Sequence, residues 1–169
     1  LTENRHSEEA IVLPDAPAIP GLTFRRFRGE QDYPAMAAIV NDSNKADQID
    51  HTDSVEDIAA TYNNLVNCDP YQDMIFAEIQ SEVIGFGRTW WILKSDGIRT
   101  YCHFALMIPE WRGKGIRRAM LHHNERRARE IALDHPKENP RFLESWAADT
   151  ETDWDSLIRA ENYQPVRYL

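Results

Sequence analysis

The stretch Leu106-Met-Ile-Pro-Glu-Trp-Arg-Gly-Lys-Gly-Ile-Arg-Arg118 confines the chain to a strand, a sharp turn and a helix in quick succession. Pro109 ends the strand because its nitrogen carries no hydrogen to donate. Gly113 and Gly115 permit backbone conformations closed to other residues. From there Ile116, Met120, His123 or Asn124, Ala128 and Ile131 recur at helical spacing until His135-Pro136. The first-turn N–H groups of such a helix lack internal partners and the helix dipole adds positive potential, so a pyrophosphate fits the turn. A glycine turn leading into a basic, solvated helix face fits the same residues. Two other phosphate loops are excluded by spacing: Gly115 is followed by Ile116 rather than Lys-Ser/Thr, and Gly113-Lys-Gly115 leads to Arg118 rather than a third glycine.

The rest of the chain alternates between strand and helix patterns. Residues 1–20 are polar, then proline-rich, and read as an extended arm or linker. Leu22–Phe27 alternates like a half-buried strand, Gly29–Asp32 turns into a helix through Tyr33, Met36, Ala37 and Val40, and Ile58, Tyr62 and Leu65 mark a second helix that stops at Asp69-Pro70. Met74–Ile79, Val83–Leu93 and Arg99–Ile108 read as an antiparallel meander. After the long helix come a strand over Arg141–Ala147, a short helix over Asp153–Glu161 and the start of a last strand over Tyr163–Leu169. The predicted class is α+β, a mixed central sheet in which an antiparallel meander is followed by a β-α-β crossover with flanking helices.

Charge narrows the function. The segment Arg112–Arg129 holds seven cations against Glu125 alone, a net of +6 in a chain of net −9, so the remainder carries −15. That balance argues against a nucleic-acid grip and for a small anion on the basic segment with a cationic substrate approaching an acidic face. Cys68 and Cys102 have no CxxC or Cys/His spacing, so neither a disulfide scaffold nor a structural metal site is expected, and the expected setting is cytoplasmic. No apolar run is long enough to predict a membrane span.

The run Leu106–Leu121 resembles the acetyl-CoA motif of the GNAT superfamily of N-acetyltransferases, whose core is [Gln/Arg]-x-x-Gly-x-[Gly/Ala] after a strand and a proline. Arg112, Gly115 and Pro109 match, and Arg117 stands where the family prefers Gly or Ala. The coarse likeness extends from Gly21 to Leu169, so residues 21–169 are expected to form one GNAT-like acyl-CoA-binding domain. Acetyl-CoA is then the implied co-substrate and a primary amine, on a small molecule or peptide, the implied acceptor. The resemblance implies that main-chain groups of Leu106 and Met107 pair with pantetheine and polarise the thioester. Gly113, Lys114, Gly115, Ile116, Arg117 and Arg118 would hold the pyrophosphate, with Arg112 opening the motif. Arg167-Tyr168-Leu169 resembles the middle of the family's last strand, so a longer native protein is expected, with a second GNAT-like domain or a partner copy.

Direct attack by an amine needs a base. His103, on the strand leading to the motif, and Glu144, on the strand after the helix, are the two candidates, and Glu78 is a third. Each also reads as an ordinary packed or solvated residue. The family's tyrosine acid is missing at its usual position, because Ile158 occupies its place and Asn162-Tyr163 replaces the Gly-Phe pair that follows it, unless Tyr163 or another group substitutes. Trp90 and Trp91 point to opposite faces of their strand, so one is expected in the core and the other beside an acceptor pocket. The neighbours His122 and His123 share no helix face and do not make a metal site.

Overall fold

The computed structural model describes residues 10–166. Five strands, β1 (Leu22–Arg25), β2 (Met74–Ile79), β3 (Glu82–Leu93), β4 (Arg99–Met107) and β5 (Arg141–Glu144), lie in one sheet in chain order. β1 to β4 pair antiparallel, and β5 joins β4 in parallel. A parallel neighbour needs a crossover, and α4 (Ile116–Leu133) supplies it. The remaining helices are α1 (Tyr33–Ala46), α2 (Val55–Tyr62), the single turn α3 (Pro70–Asp73) and α5 (Thr152–Ala160). This is the α+β plan expected, with a mixed sheet flanked by helices.

Local chemistry sets the boundaries. Pro34 sits in the first turn of α1, where its missing N–H costs nothing. Ser54 and Asp57 form a reciprocal capping box that starts α2. Gly85 and Gly87 let β3 lie tight against β4, since a Cβ at either would come within 2.6–2.7 Å of the Leu106 or Phe104 carbonyl oxygen. The space above Gly87 is taken by Asn124 of α4, whose Nδ2 donates to Phe104 O at 2.9 Å. Of the two residues read for that helix position, Asn124 is therefore the one turned to the sheet.

Two apolar clusters sandwich the sheet. On one face Met36, Ile39, Ile58, Tyr62, Phe76 and Phe86 pack under α1 and α2. On the other Ile75, Met107, Ile116, Met120 and Leu121 pack beneath α4, joined by Trp154 and Ile158 of α5. Residues 10–20, read as an arm, lie against this second cluster: Leu13 is buried in it and Ile11 N donates to Phe24 O at 2.8 Å. Tyr163–Val166, expected to begin a strand, belong to no strand or helix, and 167–169 fall outside the described residues. The Tyr163 ring turns inward to hydrogen-bond instead of pairing along the sheet. No helix among the described residues is long and apolar enough to cross a membrane.

Candidate active site

The turn between β4 and α4 is shaped by backbone. Gly113 (φ 70°) and Gly115 (φ 86°) both adopt left-handed conformations, which side chains with a Cβ resist. Gly113, Lys114 and Gly115 are exposed, and the space beside Gly113 is open. Ile116, in contrast, is fully buried and anchors the first turn of α4 in the core. The first N–H groups of a helix have no helical acceptors. Lys114 lies over the Trp111 ring at 5.9 Å, and Arg118 is exposed and paired with Glu161 at 2.5 Å.

Arg112 braces the turn rather than facing solvent. Its Nη1 and Nη2 bond Asp47 at the end of α1 at 2.6 and 2.9 Å, and its Nε donates to Met107 O at 3.1 Å. Asp47 holds the guanidinium above its ordinary pKa, against the opposing effect of burial. Sequence gave no sign of Asp47, which lies more than sixty residues away.

β4 and β5 pair only over Arg99–Cys102 and Arg141–Glu144, then part. In the cleft they leave, alternate residues of β4 present their carbonyls, and each is engaged. His103 O accepts from Ser145 Oγ at 2.8 Å. Ala105 O accepts from Arg117 Nε at 2.6 Å. Met107 O accepts from Arg112 and from Ser43 Oγ at 3.1 Å. Leu106 lies out of this row, its carbonyl turned toward Gly85 of β3. Arg117 is 6% exposed, with its guanidinium carbon 4.4 Å from the centre of the Trp154 ring. Burial, and then repulsion from Arg112, lower its pKa to about 10, so it stays charged at neutral pH. Trp154 is 1% exposed and donates its Nε1–H to Trp146 O at 3.0 Å. These two side chains fill the cleft.

The candidate bases stand apart. His103 is wholly buried and its Nε2 meets the Tyr163 hydroxyl at 2.6 Å, while Tyr163 donates to Glu125 at 2.9 Å. Burial pushes His103 down to about 4 and, with Glu125, pushes the Tyr163 hydroxyl far up, so both are neutral at pH 7. Glu144 pairs with Lys94 at 3.3 Å and lies opposite Cys102, so alternation points it to the other face of the sheet from His103. Glu78, two strands away on β2, is buried in an ion pair with Arg25, which Asp32 also grips. The structure leaves Gly113, Lys114, Gly115 and Arg118 exposed at the loop, turns Ile116 into the core and Arg117 onto Ala105 O, and does not bring His103 and Glu144 together. Tyr163, the one named substitute for the missing acid, is tied up between His103 and Glu125, and Trp154 carries no site reading in the sequence. Their only sequence signal was the departure from the pattern around the last helix.

Residues 36–149 match the sequence profile of the Acetyltransferase (GNAT) family. The chain belongs to the GNAT acetyltransferase family. Acetyl-CoA is the co-substrate of that family. Solved structures agree in fold. A GCN5-related N-acetyltransferase from Sphaerobacter thermophilus superposes with a TM-score of 0.74 at 19% identity, over 92% of this chain and 46% of its own. The yncA protein of Salmonella typhimurium, solved with acetyl-CoA, gives 0.63 at 19% identity over 85% and 80%. The ribosomal-protein-S18-alanine N-acetyltransferase of Escherichia coli gives 0.61 at 14% over 86% and 79%. This GNAT chain thus spans about half the length of the Sphaerobacter protein. No curated protein matches it significantly in sequence.

Proposed function

We propose that the protein is an N-acetyltransferase that moves an acetyl group from acetyl-CoA to a primary amine, and that this domain holds the coenzyme by its phosphates. The observation that carries this reading is the exposed loop of left-handed Gly113 and Gly115 that leads into α4, with the exposed Lys114 and Arg118 beside it. In that reading Gly113 to Arg118 surround the pyrophosphate, with the backbone N–H groups as donors. The acetyl group of the bound coenzyme would be open to direct attack by an amine, as the family resemblance implies.

The two ends of acetyl-CoA meet different surroundings here. The phosphates fit the loop. Pantetheine does not fit the cleft, because Arg117 and Trp154 fill it and the carbonyls of Ala105 and Met107 are already bonded. The filling of the cleft favours a second reading, in which this domain is a non-catalytic acyl-CoA-binding or structural half of a longer protein. Thiol release from acetyl-CoA over a panel of primary amines separates the two: amine-dependent release supports turnover, and binding without release supports the second reading. Gly115→Trp, which obstructs the loop, is expected to abolish binding in either case.

A further inference from the structure

A second cavity, of about 640 Å³, lies between the far half of β3 and the loop that joins α2 to α3. It is separate from the phosphate loop, being walled by Arg88, Trp90, Leu65 and Cys68 rather than by α4. Among the described residues Arg88 is the single charged one in its walls. In a chain of net charge −9, a cavity whose one charge is a cation is a selective environment.

Arg88 is held by rings rather than by carboxylates. Its guanidinium carbon lies 4.6 Å from the centre of the Trp90 ring, 5.2 Å from Tyr62 and 5.4 Å from Phe104. Among the described residues its guanidinium hydrogen-bonds the Tyr62 hydroxyl but its buried Nε has no hydrogen-bond acceptor. A buried donor without an acceptor leaves Arg88 able to take one from a ligand. The groups near it do not supply a negative charge. Burial pushes both the Tyr62 hydroxyl and the Cys68 thiol up to about 12, so both are neutral. The carboxylates close to Cys68 are committed: Asp73 to Arg127 at 2.8 Å, and Asp69 to the Tyr71 N–H at 3.0 Å.

The rim has a different character. Val66, Ile92 and Leu93 are exposed apolar side chains gathered at this one opening. Trp90 is fixed by a stack on Trp146, with ring centres 5.8 Å apart and planes 15° from parallel. Asn67 sits at φ 54°, in the left-handed region that Asn tolerates, and its Nδ2 is tied to Trp91 O at 3.0 Å. The loop is therefore pinned beside the opening.

We propose that this cavity binds a small organic carboxylate with an aromatic or branched apolar body, its carboxylate on Arg88 and its body against Trp90 and the apolar rim. The proposal does not rest on acetyl transfer and needs no coenzyme. Phenylacetate is the probe, with phenylacetamide and benzylamine as neutral and cationic controls of similar shape, titrated against tryptophan fluorescence and by calorimetry. Phenylacetate is expected to saturate a single site and to bind about tenfold more tightly than either control, the scale of one charge-assisted hydrogen bond. Arg88→Met should lose that preference and Arg88→Lys should keep part of it. Val66→Glu, at an exposed position that leaves the fold intact, should weaken phenylacetate and spare phenylacetamide. The proposal is overturned if phenylacetate shows no saturable binding, if phenylacetamide binds as tightly, or if Arg88→Met and Val66→Glu both bind phenylacetate like the parent.

Discussion

The phosphate loop and the β4/β5 cleft are neighbours, and they are built on opposite plans. The loop is made of backbone: two left-handed glycines, open space beside Gly113, and N–H groups left free by the start of α4. The cleft is made of side chains: Arg117 on Ala105 O, Trp154 over its guanidinium, and Tyr163 against His103. A backbone site is insensitive to most substitutions and keeps its shape as sequence drifts. A side-chain site can be filled by one or two replacements. One half of a coenzyme site can therefore persist beside another that has closed.

The largest test of this contrast is Trp154→Ala. Removing a fully buried tryptophan is expected to lower stability by about 3–5 kcal/mol, measured by denaturant unfolding. A loss below about 1 kcal/mol would mean that Trp154 is not a packed part of the closed cleft.

Acidification comes next and acts on the cleft rather than the loop. His103 titrates near 4 when folded and near 6.5 in the unfolded chain, because burial disfavours its charged form. Between those values the unfolded chain binds the extra proton, so stability is full above about pH 6.5 and falls by about 3 kcal/mol toward pH 4. His122 has the opposite sign. Burial opposes its charge, but Glu161 and Asp15 outweigh that and raise its pKa, so its stabilisation is present at low pH and is lost as pH rises through the raised value. Melting curves across pH 4–9 should show a shallower acid limb in His103→Gln, the remainder coming from His123, which burial also pushes down to about 4, and a flatter alkaline limb in His122→Gln.

Gly115→Ala is a smaller perturbation, and it tests the loop. A Cβ there meets only Pro17 at ordinary contact distance, so the cost is the left-handed backbone, about 1–2 kcal/mol. A cost near zero would mean that the loop does not need the glycine. The smallest expected effect comes from Arg117→Ala. It frees Ala105 O, and acetyl-CoA affinity should rise about fivefold, the value of one hydrogen bond, while affinity for 3′-phosphoadenosine 5′-diphosphate stays unchanged.

What could be read in the sequence follows the same division. Pro109, Gly113 and Gly115 act through backbone geometry that is local in the chain, so the strand, turn and helix of the loop were legible in the residues themselves. So was the meander, whose alternation is also local. Arg117 was visible as an unusual residue, but its direction was not. Whether a side chain turns toward solvent or under a helix depends on Trp154, distant in sequence and brought near only by the fold. The same holds for Asp47, which anchors Arg112, and for Glu125, which reaches His103 through Tyr163. His103 and Glu144 looked equivalent as candidate bases, because sequence alone does not place two strands side by side. The pairing of Glu144 with Cys102 puts it on the opposite face.

The most direct test of the phosphate grip is calorimetric titration of the parent chain with acetyl-CoA and, separately, with 3′-phosphoadenosine 5′-diphosphate, which carries the phosphates and lacks pantetheine. The account predicts that both bind at one site with affinities within about threefold, less than the contribution of a single hydrogen bond, and that Gly115→Trp abolishes both. Absence of binding by either ligand, or binding that survives Gly115→Trp, would contradict it.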